Sequence, residues 1–248
     1  MAYSGMPGAP VTVSVVSHGQ ISLVKQLLED LSRYCSSELR VILTHNIPEL
    51  EPAAPQQSKH RLEVVVNERP RGFGANHNAA FRCCVTPLFC VVNPDIRLKS
   101  DPFPILAAAL AEPRIAAVGP LVRDPQGNPE DSARKFPTAR SLLRKLVTAP
   151  SGPDYPVDGG PLEVDWVAGM FITFRADAFN AVGGFDERFF LYYEDVDICY
   201  RLRGAGYAVV YDPRASVIHN ARRASRRDPR LMAIHAASGL RYLLRRYD

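Results

Sequence analysis

Short β-rich runs alternate with helix-spaced segments through the first half of this chain, and that alternation limits its fold more than any other feature. Residues 11–16, 39–44, 61–66, 88–92 and 115–118 are apolar, β-rich runs, while residues 21–31, 74–84 and 103–110 carry helical spacing. A proline-rich loop over 47–55 separates the second run from the third. Strands interleaved with helices imply βαβ units, so the expected class is α/β with a mostly parallel central sheet flanked by helices. Beyond residue 123 the composition shifts. Residues 124–160 are rich in Pro, Gly and charge and read as a mobile loop with one short basic helix over 141–147. Regular structure resumes with a strand over 165–174, helices over 176–181 and 195–204, a strand over 207–211 and a last helix over 229–246. No internal repeat or clear linker divides the 248 residues, which read as one domain with an elaborated second half.

Composition removes several function classes. With 46% hydrophobic and 23% charged residues the chain has the balance of a soluble globular protein. No apolar run reaches the roughly 18–20 residues that spanning a bilayer requires. Residues 1–10 lack the basic start and apolar stretch of a signal peptide, so a frayed leader and a cytoplasmic location are expected. The five cysteines are odd in number and show no C-x-x-C spacing, which argues against a disulfide framework and a zinc site. The net charge of +4 is concentrated near the C-terminus in Arg222, Arg223, Arg226, Arg227, Arg230, Arg241, Arg245 and Arg246. Such a block is either a solvated helix face or a surface for anionic lipid headgroups or phosphates. No aromatic ladder or recognised module accompanies it, so nucleic acid is not an expected partner.

Four stretches carry candidate chemistry, each with a structural alternative. From Gly183 to Arg201 a glycine turn leads through aromatic residues to Glu194 and Asp195 at a helix start. Crowded carboxylates beside aromatic surface acquire raised pKa values suited to proton transfer, although acidic residues also complement a helix N-terminus. Asn93-Pro94-Asp95 follows an apolar strand, where α/β sheets bind ligands and where one carboxylate can hold a divalent ion with a diphosphate. It also reads as a turn that ends the strand. Gly72-Phe73-Gly74 opens a helix and imitates a dinucleotide fingerprint, but His77 occupies the third glycine's position. There the glycines signal close backbone approach, and His77 and Asn78 are nucleotide contacts or capping groups. Trp166, beside Gly169, is a sugar-stacking surface or core; His219 is a metal ligand or a structural residue.

Taken together, Gly72-Phe73-Gly74-Ala75-Asn76-His77-Asn78, Val91-Val92-Asn93-Pro94-Asp95, Trp166-Val167-Ala168-Gly169 and the run from Gly183 to Arg201 with His219 beyond it resemble family 2 glycosyltransferases, in particular their rhamnosyltransferase-like bacterial branch. The resemblance implies a GT-A fold with a nucleotide-sugar-binding half over 11–123 and an acceptor-binding half over 124–248. It implies an inverting transfer from a nucleoside diphosphate sugar, with dTDP-rhamnose the expected donor, to a hydroxyl of a glycan or lipid-linked glycan. Asp195 then matches the catalytic base, and Glu194 orients the base or the acceptor. Asp95 matches the last acid of a D-x-D element, and His219 completes the shell of a Mg²⁺ or Mn²⁺ ion. Ser17, His18, Asn46, Gly72, Gly74, His77, Asn78, Asn93 and Asp95 fall to the donor, and Trp166, Gly169 and Glu194 to the acceptor. The arginine-rich tail implies peripheral contact with an anionic membrane at its inner face.

Three positions depart from that pattern. Asn93 replaces the first acid of D-x-D, Thr44-His45-Asn46 stands where many relatives have a base-recognising aspartate, and Ser17-His18-Gly19 replaces an aromatic-polar pair. These departures motivate an alternative, a catalytically silent sugar-nucleotide-binding protein. A nicotinamide enzyme is a third reading, suggested only by Gly72, Gly74 and Asp95.

Overall fold

The structure, a computed structural model, describes residues 9–49, 58–141, 153–220 and 228–246. Its first half runs β1 (Val11–Ser17), α1 (Ile21–Tyr34), β2 (Leu39–His45), β3 (Arg61–Val66), α2 (Phe73–Phe81), β4 (Leu88–Val92), β5 (Ile96–Arg97), α3 (Phe103–Ala109) and β6 (Ile115–Arg123). Then follow β7 (Ala133–Arg134), β8 (Leu162–Val164), β9 (Trp166–Val167), β10 (Phe171–Arg175), α4 (Ala176–Ala181), α5 (Glu194–Gly204), β11 (Ala208–His219) and α6 (Pro229–Arg246).

A nine-stranded sheet in the order β3-β2-β1-β4-β10-β6-β11-β5, with β8 paired to β11, forms the centre. β1, β2, β3, β4, β6 and β11 all point one way, and β5, β8 and β10 run against them. The sheet is therefore mostly parallel, as its sequence pattern implies. Because strand side chains alternate between faces, β4 feeds two cores at once. Leu88, Cys90 and Val92 join α1 residues Val24, Leu27 and Leu31 on one face. Phe89 and Val91 join Phe179 of α4 and Val196 and Leu202 of α5 on the other. The spacing of Leu23, Val24, Leu27, Leu28 and Leu31 gives α1 its single buried stripe.

Three expectations are revised. The strand over 165–174 is two strands, because the backbone turns at Ala168–Met170 to meet α5. The strand over 207–211 continues to His219 across an irregularity between Asp212 and Ser216, which carries that histidine to the sheet's end. β5, β7 and β8 are additional short strands, too brief to show a periodic signal. Residues 142–147 of the short helix expected over 141–147, residues 50–55 of the 47–55 loop, residues 1–8 and Arg222 to Arg227 lie outside the described residues.

Candidate active site

Six co-directional strands deliver their carboxyl ends to one edge of the sheet, where α/β proteins bind ligands. Ser17 ends β1, His45 ends β2, Asn93 to Asp95 follow β4, and His219 ends β11. β5 pairs Ile96 with His219, which brings Asp95 beside the imidazole. Arg97 pins that strand to α1 through Asp30 at 2.6 and 2.9 Å. His219 Nε2 lies 3.4 Å from Asp95 Oδ2, and Nδ1 lies 2.8 Å from Glu130 Oε2. Burial opposes charging of His219, but hydrogen bonds to Asp95 and Glu130 outweigh it and hold its pKa above the usual imidazole range.

Asp95 Oδ1 is buried without a hydrogen-bond partner. That orphaned oxygen beside a histidine nitrogen is a two-donor set of the kind Mg²⁺ or Mn²⁺ accepts when diphosphate and water fill the remaining positions. Among the described residues, no group of three or more His, Cys, Asp or Glu could hold a metal by itself. Asn93 is tied through its backbone, its N–H donating to Met170 O at 2.9 Å.

That same turn carries the acidic pair. Gly169 N–H donates to Asp195 Oδ2 at 2.9 Å, and Val196 N–H donates to Asp195 Oδ1 at 2.9 Å. A Cβ on Gly169 would lie 3.3 Å from Asp195 Cβ, a tight contact that glycine avoids. Asp195, Gly169, Met170 and Asn93 thus form a short hydrogen-bonded path to within two residues of Asp95. Asp195 is partly exposed, whereas Glu194 is 5% exposed with Oε2 unpartnered. Burial, and then the Asp195 charge, push Glu194 well above the usual carboxylate range. Burial also raises Asp195, against its two backbone N–H donors and Arg134. Burial thus favours the neutral form of both carboxyls, Glu194 above all, while Asp195 keeps two backbone N–H donors that favour its charged form.

Tyr192 and Tyr193 lead into this pair with φ of 69° each, a conformation that costs side-chain-bearing residues energy and must be imposed by packing. The packing comes from α6. His235 lies 5.1 Å from the Tyr192 ring and 5.3 Å from the Tyr193 ring, and Tyr242 lies 5.7 Å from Tyr193. Ser238 Oγ donates to Leu191 O at 2.9 Å. Arg245 reaches Asp186 at 2.5 Å and the buried Asp197 at 2.7 Å.

The glycine-asparagine stretch works as a brace. Phe73 N–H donates to Phe190 O at 2.8 Å, and a Cβ on Gly72 would sit 2.7 Å from that oxygen. One on Gly74 would sit 2.7 Å from Phe185 Cβ. Asn78 commits both amide atoms to Phe185, donating to its carbonyl at 2.8 Å and accepting its N–H at 2.9 Å. His77 corrects the expectation of a donor contact. It is 1% exposed, bonded to Ser14 Oγ at 2.8 Å and packed edge-on against Phe73 and at a tilt to Phe185, and burial pushes its pKa down to about 3. Both His77 and Asn78 hold the 185–193 loop against α2.

At the far end of the edge, Asn46 Oδ1 accepts from Arg71 N–H at 2.7 Å and from Asn67 at 2.9 Å, and its amide lies 3.3 Å from His18 Nδ1. Asn67 also donates to Asn76 at 2.7 Å, closing a buried asparagine network behind Gly72. Ser17 Oγ and Gly19 N–H donate to the two oxygens of Glu49 at 2.9 and 2.8 Å. Trp166 is 8% exposed, its Nε1 donates to Lys135 O at 3.1 Å, and the Arg134 guanidinium covers its ring at 5.4 Å. It is a core residue under Arg134, while Phe190, 52% exposed, is the open aromatic surface of the acidic loop.

Sequence reasoning missed Glu49, Asn67, Asn76, Glu130 and Arg134. Asn67 and Glu49 follow strands whose ends were already marked as ligand-facing, which is a usable signal. Glu130 and Arg134 sit in the irregular 124–160 segment and have no periodic cue.

Comparison with known proteins adds to this geometry. The model of the family described as "Glycosyltransferase like family 2" matches residues 7–234. An N-acetylglucosaminyl-diphospho-decaprenol L-rhamnosyltransferase of Mycobacterium tuberculosis is 38% identical over 172 residues, covering 64% of this chain and 55% of the relative. This chain therefore spans about half of that relative's length. The rhamnosyltransferase WbbL of Escherichia coli K12 is 30% identical over 95% of this chain and 93% of its own length. Among solved structures, GalNAc-T7 with UDP, GalNAc and Mn²⁺ superposes with a TM-score of 0.65 at 15% identity, over 86% of this chain and 43% of that one. A Pyrobaculum calidifontis mannosyltransferase with GDP-Man and Mn²⁺ gives 0.59 at 16% identity, over 90% and 60%. These likenesses establish the GT-A fold.

Proposed function

Because the chain belongs to the family-2-like glycosyltransferases, we propose that it is an inverting enzyme moving a sugar from a nucleoside diphosphate to a hydroxyl of a glycan or lipid-linked glycan. L-Rhamnose is the sugar favoured by the two rhamnosyltransferase relatives, with dTDP-rhamnose its donor in this proposal. The observation that carries the reading is the joining of Asp95, His219 and Asp195 at one sheet edge through Gly169, Met170 and Asn93.

Residues 11–123 bind the donor in this proposal. Ser17, His18, Asn46 and Glu49 border the nucleoside, and Asn93 and Asp95 face the diphosphate. Asp95 and His219 would hold a Mg²⁺ or Mn²⁺ ion, whose chemistry there would be to offset negative charge on a diphosphate leaving group. Asp195 accepts the acceptor hydroxyl's proton as that oxygen attacks the anomeric carbon from the face opposite the diphosphate. Glu194, which burial holds toward its neutral form, keeps the charge beside Asp195 low. Residues from 124 onward, with Phe190, shape the acceptor side. An acceptor on a lipid carrier sets this chemistry beside the inner face of the cytoplasmic membrane. Contact there is peripheral in this proposal; among the described residues no helix is long and apolar enough to cross a membrane.

A screen of nucleotide sugars with Mn²⁺, read by thermal shift and by release of nucleoside diphosphate, tests the proposal. A ligand at about 100 Kd adds roughly 2.7 kcal/mol of stability to the folded state. Stabilisation by a donor together with its turnover supports transfer. Stabilisation without turnover on any acceptor favours the silent binder.

A further inference from the structure

Helix α6 has two dissimilar sides. The inner one grips the acidic loop through Ser238, Tyr242 and Arg245. On the outer side Met232, Leu240 and Leu244 are 58%, 59% and 62% exposed. They fall on one line at multiples of four residues, with exposed Ala236 between and exposed Ala233 and Ala237 alongside. Exposed Arg230 and Arg241 border this strip, and Pro229–Arg246 contains no acidic residue. A solvated helix keeps its exposed face polar, whereas this one sets Met232, Leu240 and Leu244 there alongside Arg230 and Arg241. Scattered exposed leucines need no explanation; a strip three turns long, rimmed by arginine, does.

We propose that the outer face of α6 lies in an anionic lipid surface, with Met232, Leu240 and Leu244 among the upper acyl chains and Arg230 and Arg241 on the phosphates. Charge selects this occupant over a second copy of the chain. Four more arginines, Arg222, Arg223, Arg226 and Arg227, precede the helix in sequence, and Asp228 is the only acid between 221 and 246. Two such faces would bring like charges together, whereas an anionic bilayer draws in each arginine near it. The lipid-linked acceptor proposed above gives this contact its purpose, and the contact is measurable without it. The helix that meets lipid is the one that holds Tyr193 beside Glu194, so membrane seating and the catalytic loop share a single element.

The test is sedimentation of the full chain with vesicles of phosphatidylcholine alone or mixed with phosphatidylglycerol. Binding to the mixed vesicles, loosened by salt, is expected. Arg230→Gln with Arg241→Gln should weaken it about 30-fold, since each arginine near such a surface contributes roughly fivefold. Leu240→Ser with Leu244→Ser should remove most of it while leaving the melting temperature and donor hydrolysis unchanged. Equal binding of both vesicle types, or full binding by the double serine variant, overturns the proposal. So does a concentration-dependent dimer in lipid-free solution that the serine variant abolishes, because the face would then belong to a second copy. Donor turnover without vesicle binding sinks this inference alone, and vesicle binding without turnover on any donor sinks only the transfer reading.

Discussion

His219 turns Nδ1 to Glu130 at 2.8 Å, and that bond leaves Nε2 facing Asp95. A carboxylate behind a ligating histidine fixes its tautomer, and removing such a group typically costs 10–100-fold in metal affinity. Glu130→Ala should therefore weaken Mn²⁺ binding, in the presence of a nucleoside diphosphate, by about 10–100-fold. Glu130→Gln keeps an acceptor oxygen and should lose much less. Calorimetric titration of Mn²⁺ into the two variants checks this; equal affinities would leave Glu130 a mere surface tie.

Asp195→Asn should reduce transfer by about 10²–10⁴-fold, the usual contribution of one general base. Both Asp195 oxygens accept backbone N–H groups. The asparagine must therefore set its own NH₂ against one of those donors and lose about 1–3 kcal/mol of stability. Donor affinity measured alongside kcat separates the two effects: kcat falls, and Kd for the donor stays near the parent value.

Glu194 predicts a pH dependence of stability. Its folded-state pKa lies above the unfolded one, so the neutral form is favoured by the fold. The contribution is complete below the unfolded value and is lost as pH rises toward the folded value. Glu194→Gln stays neutral, so its stability advantage over the parent should grow with pH by up to roughly 1.4 kcal/mol per unit across that window. Urea melts at several pH values measure it. In the activity profile, the raised Asp195 moves the acid limb upward, and transfer falls as pH drops through that limb.

Gly72→Ala should disturb the acidic loop through its direct contact with Phe190. The new methyl would meet Phe190 O at 2.7 Å and Cα at 2.9 Å, both backbone atoms that cannot rotate aside. A loss of about 1–3 kcal/mol is expected for such overpacking, with a further fall in kcat as Tyr193 and Glu194 shift. A variant that melts and turns over like the parent would show that the two segments move independently.

Much of the fold was legible because β1, β4 and α1 obey simple periodicities, and their ends fall within a few residues of the expected positions. The places of the acidic pair at a helix start and of Asp95 after β4 were legible because each abuts an element the sequence pattern marks. His77 misled because its place at the start of a helix says nothing about which way the ring turns, and Ser14 with two phenylalanines claims it. Trp166 misled for a similar reason, since the Arg134 that covers it lies in a segment without periodic pattern. Glu130 was illegible because its partner is 89 residues away.

β10 lies between β4 and β6 in the sheet order. A strand made late is thus sandwiched between two made early, each held to it by antiparallel ladders. Nicking the backbone between β6 and β8 should not liberate two autonomous pieces, because the earlier fragment would be left with an unfilled slot through its middle. Assembly must close a loop of at least 55 residues, the separation of Thr173 from its β6 partner Val118, before that slot is occupied, which is slow compared with local hairpins. The position of Gly169 at the head of that inserted strand means that the acidic centre forms only once this late closure is complete.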